Sequence, residues 1–116
     1  MAAGYHHFII EQGATFKHTL TLKDPSGTLI NLGGYTAEMD FRKNQDDAND
    51  VITLTVANSR IAMGGSAGTI TLEVSATDTG NLSVGDGVYD IDLTDASGKV
   101  DRLLDGTYSI RGNVSR

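Results

Sequence analysis

Asp90 and Asp92 come nearest to chemistry among the 116 residues of this chain. They lie in VYDIDLT, residues 88–94, where Tyr89, Ile91 and Leu93 alternate with Asp90, Asp92 and Thr94. Period two puts both carboxylates on one face of a strand, roughly 6.5–7 Å apart along it. A glycosidase uses two carboxyl groups at about that separation. Alternate acids are equally ordinary on a solvated strand face, and no aromatic sugar platform accompanies this pair, so hydrolysis is not assigned. His6 and His7 are adjacent, and neighbours on a strand point to opposite faces, so they do not share one metal ion. His18 falls on an apolar face without a ligand set and reads as a core histidine. The run Asp46-Asp47-Ala48-Asn49-Asp50 offers the oxygen ligands of a calcium loop. It lacks the glycine and the closing glutamate an EF-hand requires, so it reads as a solvated acidic loop.

G-x-S-x-G, P-loop and G-x-G-x-x-G sequences are absent, and Gly64-Gly65 has no Lys-Ser/Thr after it. The expectation is a non-enzymatic protein with no catalytic residue, no cofactor and no metal. Nine Lys and Arg against fifteen Asp and Glu leave a formal charge of −6. Phosphate neutralisation dominates nucleic-acid affinity, so an acidic chain with scattered cations is not expected to bind nucleic acid. With no Cys there is neither a disulfide framework nor a thiolate site. The first ten residues carry no basic segment followed by a long apolar run, and the longest apolar stretch is Phe8-Ile9-Ile10. No signal peptide, no membrane span and synthesis in a cytoplasm are therefore expected.

The elements around these residues are short strands. Tyr5–Glu11 reads as a first strand, with Tyr5, His7 and Ile9 on one face and His6, Phe8 and Ile10 on the other. Residues 14–23 alternate with Phe16, His18, Leu20 and Leu22 inward, before the turn Asp24-Pro25-Ser26-Gly27. A short strand is expected at 29–32, then strands at 35–42, 52–56, 60–63 and 69–74. Ser75 or Thr77 caps a single helical turn that Gly80 ends. The strand at 88–94 turns through Asp95-Ala96-Ser97-Gly98 into 100–104. Asp105-Gly106 reads as a second turn before the alternation of Tyr108, Ile110, Gly112 and Val114. Eight or nine short strands with turns about every ten residues define an all-β, antiparallel, Ig-like β-sandwich, one domain over 1–116. Its expected core is Phe16, Leu20, Leu22, Tyr35, Met39, Phe41, Ile52, Leu54, Ile70, Leu72, Tyr89, Ile91 and Leu93.

Several ordered pieces carry a resemblance. They are the stretch from Phe8 to Phe16 (FIIEQGATF), Leu22-Lys23-Asp24 before a Gly turn, Ile30–Ala37 (INLGGYTA) and Gly68–Leu72 (GTITL). Ser75–Thr79 (SATDT), Val88–Leu93 (VYDIDL) and Arg102–Gly106 (RLLDG) complete the set. Together they resemble the small β-sandwiches of tailed-phage virions, as in the N-terminal domain of the upper-baseplate protein family. The resemblance implies an Ig-like sandwich that plugs a larger assembly into the virion, and it carries over no catalytic residue. The chain departs from that pattern by ending at Arg116 with no linker or receptor-binding region, which implies a compact building block.

The functional expectation is a structural virion component, at the tail or baseplate or as a capsid decoration, made in the host cytoplasm. Its partners are other virion proteins, and it is expected to act as a homo-oligomer or in many copies. The two-faced first strand is the expected contact, through Tyr5, His6, Phe8 and Ile10. Deleting Met1–Ile10 is then expected to leave the sandwich folded. The competing class is a carbohydrate- or surface-binding module, which needs exposed aromatics. Tyr5, Tyr108 and Tyr35 (also counted in the core) are the candidates.

Overall fold

The computed structural model describes residues 4–44 and 51–112. Eight strands and two short helical turns follow in order: β1 Gly4–Glu11, β2 Phe16–Thr21, β3 Thr36–Arg42, β4 Ile52–Thr55, β5 Ile61–Met63, a 3-10 turn Gly65–Ala67, β6 Thr69–Val74, α1 Ala76–Gly80, β7 Gly85–Thr94 and β8 Val100–Arg111. They form two sheets, ordered β1-β8-β7-β3-β4 and β2-β6-β5. Each sheet is apolar on one side, and the two apolar sides close on one another. The all-β sandwich expected from the alternation is the fold found.

The core runs through both sheets. Phe41, Met39, Leu54, Ile70, Leu72 and Ile91 are fully buried. A chain of aromatic contacts crosses it, from Phe16 to Phe8 (ring centroids 5.7 Å apart), to Tyr89 (4.9 Å), to Phe41 (5.8 Å) and to Tyr108 (5.0 Å). Leu20, Tyr35 and Ile52, expected inside, are only partly buried and pack against the rim of the core. Leu32, Ala37, Ile61, Val74, Leu103 and Ile110 join it in addition.

Three expectations are corrected. First, β1 runs parallel to β8, in register from Gly4 opposite Leu104 to Glu11 opposite Arg111, so the sandwich is not wholly antiparallel. Second, Asp105-Gly106 is not a turn: β8 continues through it, pairing with Asp90 and Tyr89 of β7. Gly106 is there for close approach. A Cβ on it would lie 2.3 Å from the His6 carbonyl oxygen and 3.2 Å from the Tyr89 ring. Third, 29–32 forms no strand: it is held by an isolated Lys23–Leu29 bridge and by the Ile30 and Leu32 amides donating to Leu22 and Gly65.

Local signals elsewhere act as read. The Asp24 and Asp95 turns are twins. Each Oδ1 accepts from the amide and hydroxyl of the serine two residues on, and from the amide four on, at 2.7–3.0 Å. These bonds hold both carboxyls below the usual carboxylate range. Ser75 caps α1, its hydroxyl accepting from the Asp78 amide at 3.2 Å. The buried Thr79 then ties α1 to the β1–β2 turn. Its hydroxyl donates to the Ala14 carbonyl (2.8 Å) and accepts from the Gly13 amide (3.1 Å).

Candidate interaction surfaces

Two surfaces stand out, and both depend on β8. The first is the outer face of the five-stranded sheet. Strand register sets Asp40 of β3 opposite Asp90 of β7, and Asp90 opposite Asp105 of β8, so three carboxylates stand in one row. The next row is Glu38, Asp92 and Arg102. A bulge at Leu103 makes that second row possible. Ile91 pairs with Leu104 but Asp92 pairs with Arg102, so Leu103 is the extra residue. Leu103 and Leu104 both pack against the core, and Arg102 emerges among the acids. Its Nε donates to Asp92 at 2.5 Å, and its guanidinium lies 3.6 Å from Asp90.

Asp40, Asp90, Asp92, Asp105 and Arg102 line a groove of about 540 Å³ with Arg42, Val88, Tyr89 and Thr107. Asp90 is the electrostatically loaded member: burial pushes its carboxyl up, Asp92 and Asp105 add to this, and Arg102 and Arg42 oppose it. The Asp90–Asp92 face read from the sequence is real, but Arg102 bridges the two carboxylates. The bulge that delivers it leaves no mark in the sequence pattern. Tyr89 gives the groove no stacking platform, because its ring is buried and its hydroxyl donates to the His6 carbonyl at 2.6 Å.

The second surface is the outer edge of β1. Phe8 and Ile10, expected in a contact with another subunit, are 3% and 1% exposed and belong to the chain's own core. Their burial follows from alternation: β1 covers the end of the sandwich, so one of its faces is inside. The outward apolar group is Ile9, half exposed. His6 is exposed and stacks near His18 (5.4 Å) and Phe8 (4.5 Å). The Tyr5 side chain lies outside the described residues. His7 points outward, its ring nitrogens 2.6 Å from the Thr107 hydroxyl and 3.2 Å from that of Ser109.

His18, expected as a core residue, sits half-buried at the margin, where burial and His6 lower its pKa. The histidines converge only as far as the pair of His6 and His18. Among the described residues no three His, Asp or Glu side chains are placed to hold a metal. The acidic run Asp46–Asp50 lies outside the described residues. Tyr108 is buried and Tyr35 partly so, which removes both from the set of exposed aromatics. Among the described residues no helix is long and apolar enough to cross a membrane.

Fold and surfaces together define a β-sandwich domain with an acidic sheet face and, among the described residues, an open edge strand. No family model matches the sequence, and no curated relative matches it. Among solved structures the chain is similar to the GspB Siglec domain, with a TM-score of 0.52 at 14% identity. The match covers 92% of this chain and 54% of that one, so the chain spans about half the length of the structure it resembles. At that identity the likeness is one of fold.

Proposed function

We propose that this protein is a non-enzymatic building block of a phage virion, at the tail or baseplate or decorating the capsid, that works by contacting other proteins. The observation that carries the reading is the edge strand β1, eight residues long and, among the described residues, paired on one side only. Such an edge is a template for another strand. The phage-sandwich resemblance of the ordered motifs supports the same role. The test is mass spectrometry of density-purified particles from cells producing the phage that encodes this chain. The chain should co-purify with the major virion proteins in several copies per particle. Its confinement to the unassembled soluble fraction contradicts the reading.

A second reading, a carbohydrate- or surface-binding module, is favoured by the groove. Four carboxylates and two guanidiniums line it, which can bond sugar hydroxyls. The fold shared with the GspB Siglec domain accommodates that role. The excess of carboxylates disfavours acidic sugars, so binding on a glycan array is expected for neutral or basic glycans alone. Loss of that binding in Arg102→Ala would support this reading over the first.

A further inference from the structure

Among the described residues the sandwich has four edge strands, and three of them are guarded. On β4 the outward Thr53 carbonyl accepts from Asn58 Nδ2 and Arg60 Nη1, both at 3.0 Å, while the Thr55 amide donates to Asn58 Oδ1 at 2.9 Å. Arg60 is held in turn by Asp78 at 2.9 Å. β5 is three residues long, and β2 carries the exposed Lys17. Short edges, lysines and capped backbone groups are the devices that keep sheets from pairing with one another.

β1 has none of them. Its register against β8 is unbroken over eight residues, without bulge, lysine or proline. The His6 carbonyl and the Gln12 amide point toward β8. Backbone groups alternate sides along a strand, so those of His7 and Ile9 point to the open side. Residues 4–10 carry no formal charge in a chain of net charge −6. Glu11, which follows, faces Arg111 at 4.0 Å.

We infer that the occupant of this edge is a second copy of the same chain, its β1 running antiparallel to the first about a twofold axis. This deepens the assembly reading above and rests on it for the choice of β1 as the contact strand. The charge distribution selects a copy over a different partner. A strongly acidic protein repels itself everywhere except where its surface is neutral, and β1 is such a place. Complementarity to a basic partner would instead use the carboxylate rows. Antiparallel pairing of one strand with itself is isologous, so the His7 and Ile9 backbone groups of both copies are satisfied together. The two five-stranded sheets become one of ten strands, with Ile9 covered near the axis. A standard interface takes about 800 Å² per partner, roughly an eighth of the 6721 Å² of this chain.

Sedimentation equilibrium of the full chain tests this. The expected result is a species of twice 12.3 kDa. Ile9→Lys brings two ammonium groups together at the axis and should weaken the dimer about tenfold or more, with the circular dichroism spectrum unchanged. Val84→Lys, at an apolar residue 60% exposed outside β1, should leave the dimer intact. If Ile9→Lys does not fold, Ile9→Thr, which keeps the β-branch and removes apolar surface, replaces it and should also weaken the dimer. A monomeric wild-type chain at high micromolar concentration overturns the inference, as does a dimer indifferent to both Ile9 substitutions. A monomer found in purified particles sinks the dimer and leaves the assembly reading standing. A dimer absent from particles does the reverse.

Discussion

Replacing Gly106 by Ala places a methyl group against β1. The added Cβ would lie 2.3 Å from the His6 carbonyl oxygen, where an ordinary contact is 3.4–4 Å. The near atom is backbone, so no side-chain rotation relieves the clash, and β1 must back away from β8 by about an ångström. Overpacking of this kind costs about 1–3 kcal/mol. The hydrogen bond from the Tyr89 hydroxyl to the same carbonyl is put out of line as well, adding about 1 kcal/mol. The expected total is about 2–4 kcal/mol, a large share of the roughly 5–15 kcal/mol that holds a typical domain together. In urea, with a slope of about 2 kcal/mol/M, in the middle of the usual range, the midpoint should fall by roughly 1–2 M. Tyr89→Phe measures the hydrogen bond separately, and its effect should not add to that of Gly106→Ala, because both act on the His6 carbonyl. A loss below about 0.5 kcal/mol in Gly106→Ala, the range of a neutral surface change, would refute the close approach of β1 and return 105–106 to an open turn.

Other substitutions probe the remaining joints. Thr79→Val leaves the Gly13 amide and the Ala14 carbonyl without their partner and should cost about 1–3 kcal/mol, which Thr79→Ser should largely restore. Asp90→Asn should raise the thermal midpoint at pH 7. The folded-state pKa is above the unfolded one, so ionisation opposes folding at neutral pH and the cost fades as pH falls through the folded pKa. Opposed like charges are worth about 0.2–1 kcal/mol, and the gain should shrink with salt; a destabilised Asp90→Asn at low salt would show that the Arg102 contact dominates instead. Deleting Met1–Ile10 should unfold the protein by circular dichroism, contrary to the expectation drawn from the strand pattern, because it removes Phe8 and Ile10 from the core and all but one residue of the β1–β8 pairing. A folded truncation would show that the other strands suffice.

What was legible in the sequence was whatever is local. The alternation in VYDIDL located a strand and the side each residue takes. The twin Asp-x-Ser-Gly turns and the Ser75 cap could be named because their hydrogen bonds close within four residues. Partners were not legible. Nothing in Tyr5–Glu11 says that it pairs in parallel with the far end of the chain, so its apolar residues on both faces point equally to a contact with another molecule. Gly106 misled for a related reason: the same lack of a Cβ serves a turn or a close approach, and only the neighbour across the sheet decides which. The Arg102 site needed the bulge at Leu103, a one-residue irregularity that inverts which side every later residue faces. The strand read at 29–32 had the right composition but found only a bridge.

Amide hydrogen exchange along β1 tests the central claim most directly. The His6, Phe8 and Ile10 amides face β8 and should be protected at every protein concentration. Those of His7 and Ile9 face the open edge, so they should exchange freely in dilute solution and become protected as concentration rises through the dimer dissociation constant. Free exchange at His7 and Ile9 at every concentration would contradict homotypic pairing. Free exchange at Phe8 and Ile10 would remove β1 from the sheet altogether.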